Sequence, residues 1–279
     1  MNEKIKTVEI GLAIAEENSS ISHTPSVIQA DTLFTFSSEL DFLIPCIENA
    51  CLYPRYCDED IEYLEIEGIK KIYIPMKCFC DINLHRINYH LDWYGYYGLA
   101  FPKEWGMKNG IQPVQYINPN SNLCKDFSTA FNSALQADSS QTEDLENILK
   151  SYMLHELMYY KPYEGNMRNR RSGEIERKCF TDECEWRFIP DLSESEFQQI
   201  YYDQNIMNAG IMNDISNSLM NIDNVLLKYD YNDLKYIIIN TSDDFSKLVD
   251  VINNLQTDIT TKNELISKII IWDKSKGDF

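Results

Sequence analysis

The sequence predicts an α+β fold in a single domain over residues 1–279, with a mixed, twisted central sheet and a helical insertion over 120–160. Three observations predict it. Runs of β-forming residues, among them TLFTFS, IKKIYIPMKCFCDI and ERKCFTDECEWRFIP, are scattered along the whole chain instead of being grouped. Residues 120–160 carry two helical patterns with no strand between them. The C-terminal end reads strand-helix-strand, a connection that favours two parallel strands.

Taken in order, the opening Ile5–Ile14 segment fits two patterns. Val8, Ile10, Leu12 and Ile14 alternate as in a strand, while Ile5, Val8 and Leu12 share a helix face. TLFTFS (Thr32–Ser37) reads as a short strand. Ser38 then stands where a helix cap belongs, with Leu40, Leu43, Ile44 and Ile47 on one face. CLYPRYCDED reads as a loop. IKKIYIPMKCFCDI is the clearest strand, although Pro75 argues against a long uninterrupted ladder. NLHRINYHLDWYG is a short helix ended by Gly95, YYGLAF a strand, KEWGMKNG a helix or turn ending at Gly110, and QPVQYI a strand. The insertion follows, its second helix opening near Thr142. ERKCFTDECEWRFIP is a strand that stops at Pro190, and Glu194 to Leu219 is helical but rich in Asn. KYIIIN, a helix capped by Ser242 or Asp243, and ISKIIIW close the chain.

Composition narrows the function. With 44% hydrophobic residues the 279-residue chain can bury a large core, so it is not predominantly disordered. Its 25 Lys and Arg against 44 Asp and Glu give a net charge of -19, a field that repels nucleic acid and anionic membrane and suits a basic partner. The exception is the segment Lys161–Lys178, with six Lys or Arg against three Glu, where a nucleic acid or another phosphate has a place to dock. The N-terminus shows no signal-peptide pattern and no apolar run approaches the roughly 20 residues of a membrane span, so a cytoplasmic location is expected. Eight cysteines are then expected as thiols.

The string Glu183-Cys184-Glu185-Trp186-Arg187 is the main candidate for chemistry. In a continuous strand Glu183, Glu185 and Arg187 share one face, expected to meet a cleft or solvent, while Trp186 turns inward. Paired carboxylates beside a guanidinium can stabilise the cationic ribosyl centre that forms when nicotinamide leaves NAD. The order of an early LFTFS, a middle CFCDI and a late ECEWR strand resembles that of ADP-ribosyltransferases, which use an E-x-E or a single Glu on a late strand. On that reading Glu185 and Glu183 are catalytic. The NAD contacts are then Thr35 and Ser37 on the early strand, Cys80 on the middle one, Tyr94 from the cluster Trp93-Tyr94-Tyr96-Tyr97, Tyr163 and Arg168 from the basic segment, and Arg187. The competing reading is an amphipathic strand with a salt-bridged polar face. Cys78, Cys80, His85 and His90 lack the spacing of a zinc site, so no metal is assigned and the thiols read as core.

The strings IPMKCFCDI, then His90, YGYYGLAFPKEWG, NGIQPVQYI, KPYEG, DECEWRFIP and the terminal DF resemble, in wording and order, the AbiGi family of bacterial abortive-infection proteins. The resemblance covers nearly the full chain. It implies an antitoxin of a two-gene, toxin-antitoxin system of phage defence, whose partner is a cognate toxin of nucleotidyltransferase type or another defence protein. It departs at one place. Family members tend to carry His between two apolar residues of the early strand, where this chain has Thr35. An interaction protein of antitoxin type and an NAD-dependent ADP-ribosyltransferase acting on nucleic acid or protein therefore stand as the two expectations.

Overall fold

Alternation in TLFTFS produces β1 (Thr32–Ser37), which sends Leu33 and Phe34 to opposite faces of the sheet, each nearly fully buried. The computed structural model describes residues 30–136, 145–169, 172–203 and 205–277. The Ile5–Ile14 segment, Thr142, Arg170, Arg171 and the terminal Asp278-Phe279 lie outside the described residues. After β1, α1 (Leu40–Glu48) buries Leu40, Leu43, Cys46 and Ile47. Its cap position is Glu39, one residue later than expected, with no side-chain cap bond.

Strands β2 (Cys51–Leu52) and β3 (Arg55–Asp60) occupy the stretch expected to be a loop. The acidic DED end hid β3 from a propensity reading. It is a strand because it pairs along its length with β4 (Lys71–Asp81), from Arg55 opposite Met76 to Asp60 opposite Lys71. Pro75 sits inside β4, near the point where the strand exchanges β3 for its later partners. Next come α2 (Asn88–Tyr94), β5 (Tyr97–Pro102) and α3 (Lys103–Lys108). Gly95 ends α2 at φ 112°, and a Cβ there would lie 2.3 Å from the Ser37 carbonyl oxygen. Only glycine lets the helix end approach β1 so closely.

The expected QPVQYI strand divides at Val114 into β6 (Gln112–Pro113) and β7 (Gln115–Ile117). The two halves serve different strands. Helices α4 (Asn122–Gln136) and α5 (Leu145–Tyr159) fill the 120–160 stretch. They bury Phe127, Phe131, Leu157 and Met158 against Ile61, Leu64, Ile72 and Ile74 of the β3–β4 hairpin. Then follow β8 (Tyr160–Pro162), β9 (Glu164–Arg168), β10 (Ile175–Cys179) and β11 (Glu185–Phe188). The expected helix from Glu194 shrinks to α6 (Ala209–Leu219), because Asn208 caps it by accepting from the amides of Gly210 and Ile211.

The chain closes with β12 (Leu227–Lys228), β13 (Tyr236–Ile239), α7 (Ser242–Asn254), α8 (Ile259–Ser267), β14 (Ile269–Ile271) and α9 (Trp272–Ser275). The cap of α7 is Thr241, not Ser242 or Asp243, and it forms a reciprocal capping box with Asp244. The main sheet runs β14-β13-β5-β1-β4-β11-β6, with β3 also on β4. It is antiparallel except for the β13–β14 pair, parallel as the strand-helix-strand tail predicts, so the sheet is mixed and the fold is α+β. One face carries Leu33, Phe79, Leu99, Phe101, Ile237 and Ile239 into the largest core, closed by residues of α1, α3, α7 and α8. The other face carries Phe34, Cys80, Ala100 and Ile238 under Ile87, Leu91 and Trp272. Full burial of one such aliphatic or aromatic side chain is worth roughly 1.5–3 kcal/mol. No helix among the described residues is long and apolar enough to cross a membrane.

Candidate functional site

The ECEWR string is not one continuous strand. Residues Phe180–Glu183 form a 3-10 turn closed by Cys184 in the left-handed region at φ 44°, and β11 starts only at Glu185. The break brings both carboxylates to the same cation, because Lys161 Nζ lies 2.6 Å from Glu183 Oε2 and 2.5 Å from Glu185 Oε2. Within β11 the alternation is regular. Glu185 and Arg187 pair with Cys80 and Cys78, while Trp186 sits opposite Phe79 and packs, partly buried, on the largest core.

The expected exposure of the polar face does not hold. Glu183, Glu185 and Arg187 are 3%, 6% and 0% exposed, and they are enclosed by charged partners from other elements. Lys178 of β10 reaches Glu183 Oε1 at 2.7 Å, and the Tyr94 hydroxyl from α2 donates to the same oxygen. Lys178 also donates to the Tyr94 oxygen at 2.9 Å, with its Nζ 4.2 Å from the centre of the Trp93 ring. Arg187 donates through Nε to Glu185 Oε1 at 2.8 Å, through Nη2 to Glu59 Oε1 at 2.9 Å, and through Nη1 to the Met158 carbonyl at 2.7 Å. His90 Nε2 meets the Glu183 carbonyl at 3.1 Å, and Tyr116 accepts the Glu185 amide at 2.8 Å. Three carboxylates (Glu59, Glu183, Glu185) thus face three cations (Lys161, Lys178, Arg187).

The electrostatics follow from that packing. Burial pushes the Glu185 carboxyl up, but Arg187 and Lys161 outweigh it and hold the group far below the ordinary carboxylate range. Glu183 is lowered in the same way, burial being overcome chiefly by Lys161. Lys161 is held well above its ordinary value, since Glu185 and Glu183 together overcome its burial. Lys178 goes the other way, because burial exceeds the pull of Glu183 and Lys161 repels it. Burial likewise raises Glu59 despite Arg187, and lowers His90. A general base needs an available lone pair and a pKa near the working pH. In this cluster all four oxygens of Glu183 and Glu185 are engaged by cations and both groups are held ionised.

The structure brings together some of the sequence candidates and separates others. Glu183, Glu185, Arg187 and Tyr94 belong to the cluster, and Cys80 lies beside Glu185 across the β4–β11 pairing. Thr35 pairs with Leu99 and Ser37 with Tyr97, so both share the Leu33 face of β1 and point away from Glu185. Tyr163 is exposed, and Arg168 donates to the Gly173 carbonyl at 2.7 Å in the exposed β9–β10 hairpin. The basic segment is less available to phosphate than its composition predicts. Lys161 and Lys178 turn inward, and Arg177 pairs with Glu164 at 2.5 Å. Sequence reasoning missed Glu59 and the inward role of the two lysines. The available signal was the spacing of acids and bases, but pairing between residues 22 to 128 positions apart needs the fold.

Among the described residues no group of three or more His, Cys, Asp and Glu is arranged to hold a metal ion. An open pocket of about 430 Å³ lies between α2 and α9, lined by Asn88, Asp92, Tyr96, Asn240, Trp272 and Lys276, apart from the charged cluster.

An α+β sheet with a neutralised charge cluster on β11, between β4 and β6, defines no enzyme class by geometry, and comparison with known proteins supplies the relationship. Residues 50–240 match the family model described as "Putative abortive phage resistance protein AbiGi, antitoxin". The chain is also 35% identical over 247 residues to "Abortive phage resistance protein AbiGi" of Lactococcus lactis subsp. cremoris, covering 81% of this chain and 98% of that protein. The chain belongs to the AbiGi family of abortive phage resistance proteins. No solved structure matches it, and a likeness to ADP-ribosyltransferases has no support from solved structures.

Proposed function

We propose that this protein works as the antitoxin of an abortive-infection pair by binding a partner protein, with no catalysis of its own. The observation that carries the reading is the saturation of Glu183 and Glu185 by Lys161, Lys178 and Arg187. The residues best suited to chemistry are spent on holding β8, β10 and β11 together. What faces solvent is an acidic protein of net charge -19, suited to a basic protein surface and opposed to nucleic acid. The family description as an antitoxin supports the same direction.

The test is co-purification of the full chain with the product of its adjacent gene, expressed together from their native arrangement. A stoichiometric complex that weakens as salt rises is expected. A full chain that forms no complex, yet arrests growth when expressed alone, overturns the proposal. The alternative, an ADP-ribosyltransferase using NAD to modify nucleic acid or protein, requires Glu185 to leave Lys161 and Arg187 when NAD binds. Calorimetric titration of NAD into the wild-type chain and Glu185→Gln addresses it directly. Heat of binding in the wild type that is absent from a variant still folded by circular dichroism, together with release of nicotinamide by the wild type alone, establishes the enzymatic reading in place of the first.

A further inference from the structure

We infer that the groove between α4 and α5 is the docking surface for the partner, and that its occupant is an apolar side chain flanked by Lys or Arg on a segment of that protein. The inference rests on the partner-binding reading and locates it. The groove has a volume of about 120 Å³ and is lined by Phe131, Ala134, Leu135, Lys150, Met153 and Leu154. Leu135 and Leu154 at its lips are 52% and 42% exposed. A cavity of this size is too small for a cofactor, whose pockets run from roughly 300 Å³ upward, and suits a side chain presented by another protein.

Charge selects the kind of occupant. Next to Leu135 on α4, Asn132 accepts the Glu67 amide at 2.8 Å and donates to the Glu65 carbonyl at 3.1 Å, while Gln136 donates to the Glu67 carboxylate at 2.9 Å. These bonds hold Glu65 and Glu67 against α4 beside the Leu135 end of the groove. Lys70 and Lys71 are taken up by Glu62 and Asp58, whereas the Glu67 carboxylate accepts from the neutral amide of Gln136. Lys150 stands on the opposite wall. An apolar side chain entering beside Leu135 therefore meets carboxylates on the α4 side, which favours Lys or Arg next to it. A second copy of the chain is disfavoured, since each copy carries a charge of -19.

The probe is a synthetic helical peptide with Leu at i and i+4 flanked by Lys, set against the same peptide with Glu in place of Lys. Binding to the full chain is followed by fluorescence anisotropy. The Lys peptide is expected to bind and the Glu peptide not to. Leu135→Ser with Leu154→Ser should weaken binding about ten-fold, the loss typical of truncating an apolar anchor. Glu65→Lys with Glu67→Lys should weaken it and flatten its salt dependence. Ile148→Ser with Tyr152→Ser removes exposed apolar groups from the opposite side of α5 and should change nothing. All variants alter exposed side chains, and unchanged thermal melting verifies folding. Equal binding by the groove variants, or a loss confined to the Ile148 and Tyr152 pair, overturns the inference. So does a wild-type dimer in sedimentation that the groove variant dissociates. If the complex with the adjacent-gene product forms equally with the groove variant, this surface is wrong and the partner reading stands. If the wild type forms none, both fall.

Discussion

Replacing Arg187 with Met tests whether the charge cluster is a structural keystone. The guanidinium is fully buried and holds Glu185, Glu59 and the Met158 carbonyl together at 2.7–2.9 Å. Met keeps much of the volume but leaves Glu185 with Lys161 alone, and strips Glu59 and the carbonyl of this donor. Removing one partner of a buried ion pair costs about 3–5 kcal/mol, a large share of the roughly 5–15 kcal/mol that keeps a domain folded. For a chain of this size that is a fall in melting temperature of roughly 6–20 °C. Urea unfolding followed by circular dichroism measures it, with the midpoint falling at constant slope. Arg187→Lys should lie between the two, since it keeps the charge and loses the fork. In a double-mutant cycle, Glu185→Met added to Arg187→Met should cost at least ~1 kcal/mol less than Glu185→Met alone. An Arg187→Met midpoint within about 0.5 kcal/mol of wild type, the range of ordinary surface changes, would refute the reasoning.

Stability should fall on acidification in a direction set by Glu183 and Glu185. Both have folded pKa values below the unfolded value of about 4.3, so their contribution is complete above that pH and is lost as pH falls through the depressed folded values. Urea midpoints between pH 6 and pH 3 should show this loss, and Glu185→Gln should flatten it. Glu59→Gln should cost less than Glu185→Gln at pH 7, because the raised pKa of Glu59 already makes its ionised form unfavourable in the fold; equal costs in urea titrations would count against this. Gly95→Ala places a methyl 2.3 Å from the Ser37 carbonyl at φ 112°, and should destabilise by roughly 2–3 kcal/mol in the same assay. Thr241→Ala removes the capping box of α7 and should cost about 1 kcal/mol, read as a lower melting temperature with an unchanged spectrum.

Local pattern by itself determined much of the architecture. Alternation in TLFTFS marked β1 at its observed bounds, Gly95 marked the end of α2, and the tail of KYIIIN, a helix and ISKIIIW implied the parallel β13–β14 pair. These features rest on periodicity and on the conformational freedom of glycine, which a linear sequence carries directly. The alternation of Glu185 and Arg187 against Trp186 was also legible for the same reason. Only the tertiary structure decided what those side chains meet. Lys161 and Lys178, which read as phosphate donors in a basic segment, became internal counterions once β8 and β10 were laid beside the 3-10 turn. The acidic DED end of CLYPRYCDED became β3 because β4 pairs with it, and its Glu59 became a ligand of Arg187 across 128 residues. Burial turns a charge from an invitation to solvent or substrate into a group that must find its opposite within about 3 Å, and which opposite it finds is a property of the fold.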